Sequence, residues 1–174
     1  MPRRELSRRR KEAAMQVREV LKVKANSTLF SANPDTPLSE AVINMADHDI
    51  GSLVVLQGGR LVGMLTFREV LIKLSKRQRE HRVGPTPTFA AIKVNEAMEP
   101  NPVTAGPTME VDELRRIMLQ HHARYVPVMD GNTLLGVVSF HDVAKAVLEE
   151  KSFENKMLKA YIKDWPEEGA PKAG

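Results

Sequence analysis

Apolar residues recur at helical spacing through Leu38, Ala41, Val42 and Met45, which predicts a helix with one inward stripe. It is expected to begin near Thr36-Pro37, a hydroxyl N-cap followed by proline in the first turn. The pattern then changes period. "SLVVL" (52–56) and "RLVGML" (60–65) are apolar runs of strand length, joined by the hairpin signal Gly58-Gly59. A second helix is predicted from Phe67, with Val70, Leu71 and Leu74 facing inward. The order helix, strand, strand, helix then recurs. Val111, Leu114 and Met118, with Ile117 beside them, form the next stripe, and "YVPVM" and "LLGVV" flank Asp130-Gly131. The last helix of this set starts near Phe140, with Val143 and Val147 inward. Pro127 lacks an N–H to donate, so its strand is expected to present it at an edge or an end.

The two sets are copies. "GMLTFREV" (63–70) and "GVVSFHDV" (136–143) lie 73 positions apart, and the same shift lays residues 31–75 on 104–148 without a gap. Ala32/Ala105, Glu40/Glu113, Met45/Met118, His48/His121, Val55/Val128 and Gly63/Gly136 are identities in that register. A related short stretch precedes each copy, "VREVL" at 17–21 and "VNEAM" at 94–98. Duplication of one unit explains such a register.

What lies outside the copies sets the organisation. Residues 15–82 read as the first unit and 94–150 as the second, joined by a polar, proline-broken connector at 83–93. Phe153, Met157 and Tyr161 at i, i+4, i+8, with Ile162 adjacent, predict an extra amphipathic helix over 151–164. The tail 165–174 is expected to be disordered. The net charge is +4, and the basic head 1–14 carries it: six Arg and Lys stand against Glu5 and Glu12. The remaining body is neutral, which disfavours nucleic acid as the main partner. No run approaches the roughly 18 consecutive apolar residues of a membrane span. The chain has no cysteine, which removes thiolate chemistry and agrees with a cytoplasmic setting. Neither a Ser-His-Asp order nor HExxH nor a P-loop stretch occurs, and His121-His122 diverge too far on a helix to pair on a metal. A non-catalytic role is expected.

The duplicated glycine–apolar–apolar–hydroxyl–x–x–carboxylate stretch, with "IGSLVVLQGG" before the first copy and "ARYVPVMDG" before the second, resembles a tandem pair of CBS domains (a Bateman module) over residues 15–150. The resemblance implies an α/β (α+β) fold: two βαββα units packed sheet to sheet about a pseudo-twofold axis. It implies clefts between the units for adenosine compounds such as AMP, ATP, NAD or S-adenosylmethionine.

A strand ending at Ser139 and a helix starting near His141 turn a positive dipole end toward such a cleft. Ser139 can then donate to a phosphate, and Asp142 can accept from a ribose diol. His141 and Arg124 are within reach of phosphate, and apolar strand residues such as Val137 can hold the adenine. The family pattern adds Ile50, Gly51 and Ser52 from the first unit to this main site. The plainer alternative is that Ser139 and Asp142 only cap the helix. The first copy offers Thr66, Arg68 and Glu69, with Glu69 where the family has aspartate. Facing it, Tyr125 can stack on adenine or fill the space, so the two sites are not expected to be equivalent. The expected function is a regulatory module that binds an adenine nucleotide, forms a homodimer and signals to a partner protein. The alternatives are a ligand-free dimerisation unit and nucleic-acid binding through the head and connector.

Overall fold

The computed structural model describes residues 14–24, 28–80 and 89–163. The expected head, most of the connector and the tail lie outside these residues. The elements in chain order are α1 (Val17–Val23), β1 (Ser31–Ala32), α2 (Leu38–Asp47), β2 (Ser52–Gln57), β3 (Arg60–Thr66) and α3 (Phe67–Glu80). After short 3-10 turns at Phe89–Ala91 and Val94–Glu96 come α4 (Val111–Gln120), β4 (Tyr125–Asp130), β5 (Thr133–Ser139) and α5 (Phe140–Lys163).

Each unit is a bulged hairpin under two helices. β2 pairs antiparallel with β3 and β4 with β5, and the bulges fall at equivalent places, Val55/Leu56 and Val128/Met129. Gly58 and Gly59, at φ 57° and 76°, make the first turn; both sit in the left-handed region that glycine reaches without penalty. β1 runs parallel to β2 through Ser31↔Val54 and Ala32↔Val55. The second unit keeps only the Ala105↔Val128 bridge, and Pro127 supplies the reason. Its counterpart Val54 donates to the Phe30 carbonyl at 3.2 Å, and proline has no N–H with which to repeat the bond. Pro127 therefore lies mid-strand, not at an end, with its donorless side turned away from β5.

The two cores exchange their leading segments. Val17 and Val20 of α1 are buried with Val111, Leu114, Met118, Val126, Val138 and Val143 of the second unit. Ile92 and Val94, at the entry to the second unit, are buried with Leu38, Met45, Leu53, Leu65 and Val70 of the first. Full burial of such a valine is worth about 1.5–3 kcal/mol, so each leader is tied firmly to the opposite unit. The main-chain bonds are reciprocal as well. Leu38 N–H donates to the Ile92 carbonyl (2.7 Å) and Val111 N–H to that of Met15 (2.9 Å); Val94 N–H donates to Thr36 and Val17 N–H to Met109 (2.9 Å each). A pseudo-twofold relation between the units follows from this reciprocity.

The same bonds correct one expectation. Thr36 does not cap α2; Pro37 holds that position and the borrowed Ile92 carbonyl takes the first helical N–H. Thr36 Oγ1 accepts from Asn33 N–H instead, at 3.2 Å. Leu71 is also not inward: Val70 and Leu74 share the buried face, and Leu71, one residue and roughly 100° around, is exposed. The C-terminal stripe is a continuation of the second unit and not a separate helix, since α5 runs unbroken for 24 residues. Every described side chain from Lys151 to Ala160 is exposed, and the side chains of Tyr161 and Ile162 lie outside the described ones. No helix among the described residues is long and apolar enough to cross a membrane.

Candidate functional site

The repeated polar constellation sits where each hairpin's second strand turns into a helix, and it closes on itself. Ser139 N–H donates to Asp142 Oδ2 at 2.8 Å while Asp142 N–H donates to Ser139 Oγ at 3.1 Å, a reciprocal capping box. In the first unit Glu69 Oε2 accepts from Thr66 N–H at 3.0 Å and from the Thr66 hydroxyl, and Thr66 Oγ1 accepts from Arg68 N–H at 3.2 Å. The longer glutamate thus folds back onto the threonine. The glycine that opens each motif works differently, by letting the exchanged leader cross the strand. A Cβ on Gly63 would lie 2.5 Å from Met98 Sδ and 2.9 Å from the Glu99 carbonyl, and one on Gly136 would lie 3.1 Å from Leu21 Cδ2.

A cleft of about 320 Å³ opens beside the second box. Ile50, Gly51 and Ser52 reach it from the first unit and Val137, Ser139 and Asp142 from the second, with Val54 as an apolar wall. Six of the eight residues expected at the main site therefore meet in one space. The side chains of Arg124 and His141 are exposed and neither residue lines it; Arg124 contributes its carbonyl, which accepts from Phe140 N–H at 2.8 Å. Tyr125, expected with Thr66, Arg68 and Glu69, lines this cleft instead. Its hydroxyl rests against Gly51, where any side chain would collide with it. Thr66, Arg68 and Glu69 do not line the cleft.

Sequence reasoning missed Lys24. Its ammonium donates to the Val137 carbonyl at 2.9 Å and pairs with Asp142 Oδ2 at 3.2 Å. Asp142 Oδ1 takes no part in these contacts. Burial pushes the Asp142 carboxyl up, but hydrogen bonds from Ser139 and the charge and hydrogen bond of Lys24 outweigh it. The carboxyl is held below the usual carboxylate range. Among the described residues, the remaining charged one on the lining is Asp49.

The leaders explain why space opens at this box. Fifteen positions separate Val17 from Ala32, but eleven separate Val94 from Ala105. The four extra residues add about one helical turn, which makes α1 a true helix where the second leader is a 3-10 turn. Past the second leader, Glu99 exchanges two main-chain bonds with Met64 of β3, at 2.8 and 2.9 Å. At Val137, the equivalent of Met64, the Lys24 side chain arrives in place of a backbone. The signal was present in the sequence as an offset of 77 between the leaders against 73 between the units.

Comparison with known proteins agrees with the duplicated fold. The family model described as CBS domain matches twice, at residues 17–76 and 94–149. A CBS domain-containing protein of Bacillus subtilis, YhcV, is 30% identical over 122 residues, which is 70% of this chain and 81% of that protein. A solved CBS-domain containing protein from Agrobacterium tumefaciens superposes with a TM-score of 0.66 at 28% identity, covering 76% of this chain and 98% of that one. The CBS domain pair of MJ0100, solved in complex with 5′-methylthioadenosine and S-adenosyl-L-methionine, shares the fold with a TM-score of 0.63 at 21% identity. The alignment covers 76% of this chain and 99% of that pair.

Proposed function

The chain belongs to the CBS-domain family, and from that premise we propose that it is a non-catalytic regulatory module whose cleft binds an adenine nucleotide of the AMP, ATP or NAD class. One observation carries the reading: the cleft is assembled from both units and joins apolar walls to a serine–carboxylate pair. Its size falls at the lower end of the roughly 300–1,000 Å³ usual for small-molecule sites. That a CBS pair of the same fold was solved with adenosine compounds supports the ligand class. A ribose diol offers two donors, and Asp142 is the carboxylate on the lining that comes with a serine. Ile50, Gly51 and Ser52 face it and Val137 flanks the base. Binding ties the two units together through their shared wall, and a partner protein reads that change.

Titration calorimetry with AMP, ATP and NAD tests this. Asp142→Ala is expected to weaken the bound nucleotide by about 1–3 kcal/mol, the worth of hydrogen bonds to a charged group, while Glu69→Ala leaves affinity unchanged. Absence of binding by all three would favour the alternative of a ligand-free dimerisation unit.

The homodimer rests on the second half of α5. Phe153, Met157 and Leu158 are all more than half exposed, on a helix that none of the described residues cover beyond Glu150. A bare stretch of ten residues is marginal as helix in water and needs a surface to pack against. A second copy can supply the same surface by twofold symmetry. Light scattering is expected to give twice the 19.5 kDa chain mass, and truncation after Glu150 to shift it toward one. A full-length monomer at high micromolar concentration would dismiss the dimer.

A further inference from the structure

We infer that Lys24 selects the ligand's phosphorylation state, admitting phosphorylated nucleosides and discriminating against neutral ones; the inference rests on the nucleotide reading of the cleft. The charged side chains on the lining are Lys24, Asp49 and Asp142. Among the described residues, two carboxylates and one ammonium leave an anion with a single source of attraction on those walls. The cations that the repeat pattern suggested for phosphate, Arg124 and His141, do not line the cleft.

Lys24 also occupies the carboxylate that a ribose must use. Its ammonium holds Asp142 Oδ2 at 3.2 Å, and both side chains are partly buried, at 29% and 20% exposure. Oδ1 takes no part in that pair and is open to one hydroxyl, so a diol that uses both carboxylate oxygens competes with the ion pair at Oδ2. A neutral nucleoside breaks or weakens that pair and returns nothing to the ammonium. A nucleotide supplies a phosphate oxygen in exchange, and a charge-assisted bond replaces the one lost. The ammonium keeps its 2.9 Å bond to the Val137 carbonyl as a pivot during the exchange. Its placement is fixed from behind, because Val17 and Val20 anchor α1 in the second core and Leu21 lies over Gly136.

The test compares adenosine with AMP by calorimetry on the full chain and on Lys24→Met, Lys24→Arg and Arg124→Ala, each checked for a cooperative melt. Wild type should prefer AMP. In Lys24→Met, AMP should weaken by about tenfold or more, as expected for a lost hydrogen bond between charged partners, while adenosine is unchanged or tighter. Lys24→Arg should restore the preference, and Arg124→Ala should keep it. Lys24→Gln carries the same comparison if the methionine variant does not fold. Equal weakening of adenosine and AMP in Lys24→Met would mean that Lys24 only supports the wall. Loss of the preference in Arg124→Ala but not in Lys24→Met would move the phosphate to Arg124. A wild type that binds adenosine and AMP equally would overturn the role of Lys24 and leave the nucleotide cleft standing. A wild type that binds neither would remove the cleft's function and this inference together.

Discussion

The two strand–helix junctions differ less in their boxes than in what crosses behind them. Behind β3 the leader is short, and the residues after it read Glu-Pro-Asn-Pro (99–102). It presses its backbone onto the strand through Glu99 and Met64. Behind β5 the leader is one turn longer, stays helical through Val23 and offers a lysine side chain to Val137. A backbone bridge is fixed by the fold, whereas a lysine ammonium can move by rotating its own bonds. Duplication made two equivalent junctions, and leader length put main chain behind one and a lysine side chain behind the other.

The crossing glycines give the largest expected separation between the two halves. Gly63→Ala drives a Cβ into the Glu99 carbonyl, main chain that is itself pinned by Met64, as well as into Met98. Overpacking of this kind costs about 1–3 kcal/mol, and the upper part of that range is expected because backbone has to shift. Gly136→Ala meets only the end of the Leu21 side chain, which can turn aside, so about 1 kcal/mol or less is expected. Urea unfolding of the two variants measures both. Equal losses would mean that the leaders press on the two strands alike.

The Asp142 carboxylate, held charged by its Ser139 hydrogen bonds and then by Lys24, should appear in the acid limb of stability. The folded pKa of Asp142 lies below its unfolded value, so the unfolded chain binds more protons in the window between them. The contribution is full above the ordinary carboxylate pKa of about 3.9 and is lost as pH falls through the lower folded value. Asp142→Asn, which keeps the shape and removes the charge, is expected to cost about 1 kcal/mol at neutral pH. Its deficit against wild type should shrink steadily below about pH 4. A deficit that stays constant into acid would show that the amide disturbs packing and that charge is not what it removed.

Much of this was legible in the chain because it is periodic. Helical stripes, hairpin glycines and the 73-residue register read directly as two equal units, and the Gly-x-x-hydroxyl motif marked where each strand hands over to a helix. Exchange of the leaders was not legible. "VREVL" and "VNEAM" both suit a small apolar core, and sequence proximity assigns each to the unit beside it. Lys24 was hidden for the same reason: it lies 118 positions from Asp142 and meets it only because of the exchange. Tyr125 faces a different wall from the one its repeat position suggests, because its reach depends on the bare Cα of Gly51 in the other unit. Local pattern finds elements; contacts that swap between copies need the assembled fold.

The smallest expected effect tests how far the equivalence of the copies extends. Asp49 and His122 occupy the same place, just past α2 and α4, at φ 51° and 52°. Each is followed by the same closing bond, Ile50 N–H to Met45 at 3.0 Å and Ala123 N–H to Met118 at 2.9 Å. A left-handed position after a helix favours glycine, and a non-glycine residue there costs about 1–2 kcal/mol. Glycine gives part of this back by widening the unfolded ensemble. The net gain for His122→Gly is therefore expected at about 0.5–1 kcal/mol, and for Asp49→Gly at about half that, because aspartate tolerates this conformation better. Function should separate them the other way. Asp49 lines the cleft, so Asp49→Gly removes one of its two carboxylates and should tighten AMP relative to adenosine; His122 lines no part of it. Thermal melts without ligand, with AMP and with adenosine measure both quantities on the same samples. If His122→Gly changes the AMP response as much as Asp49→Gly does, charge on the lining is not what sets the preference.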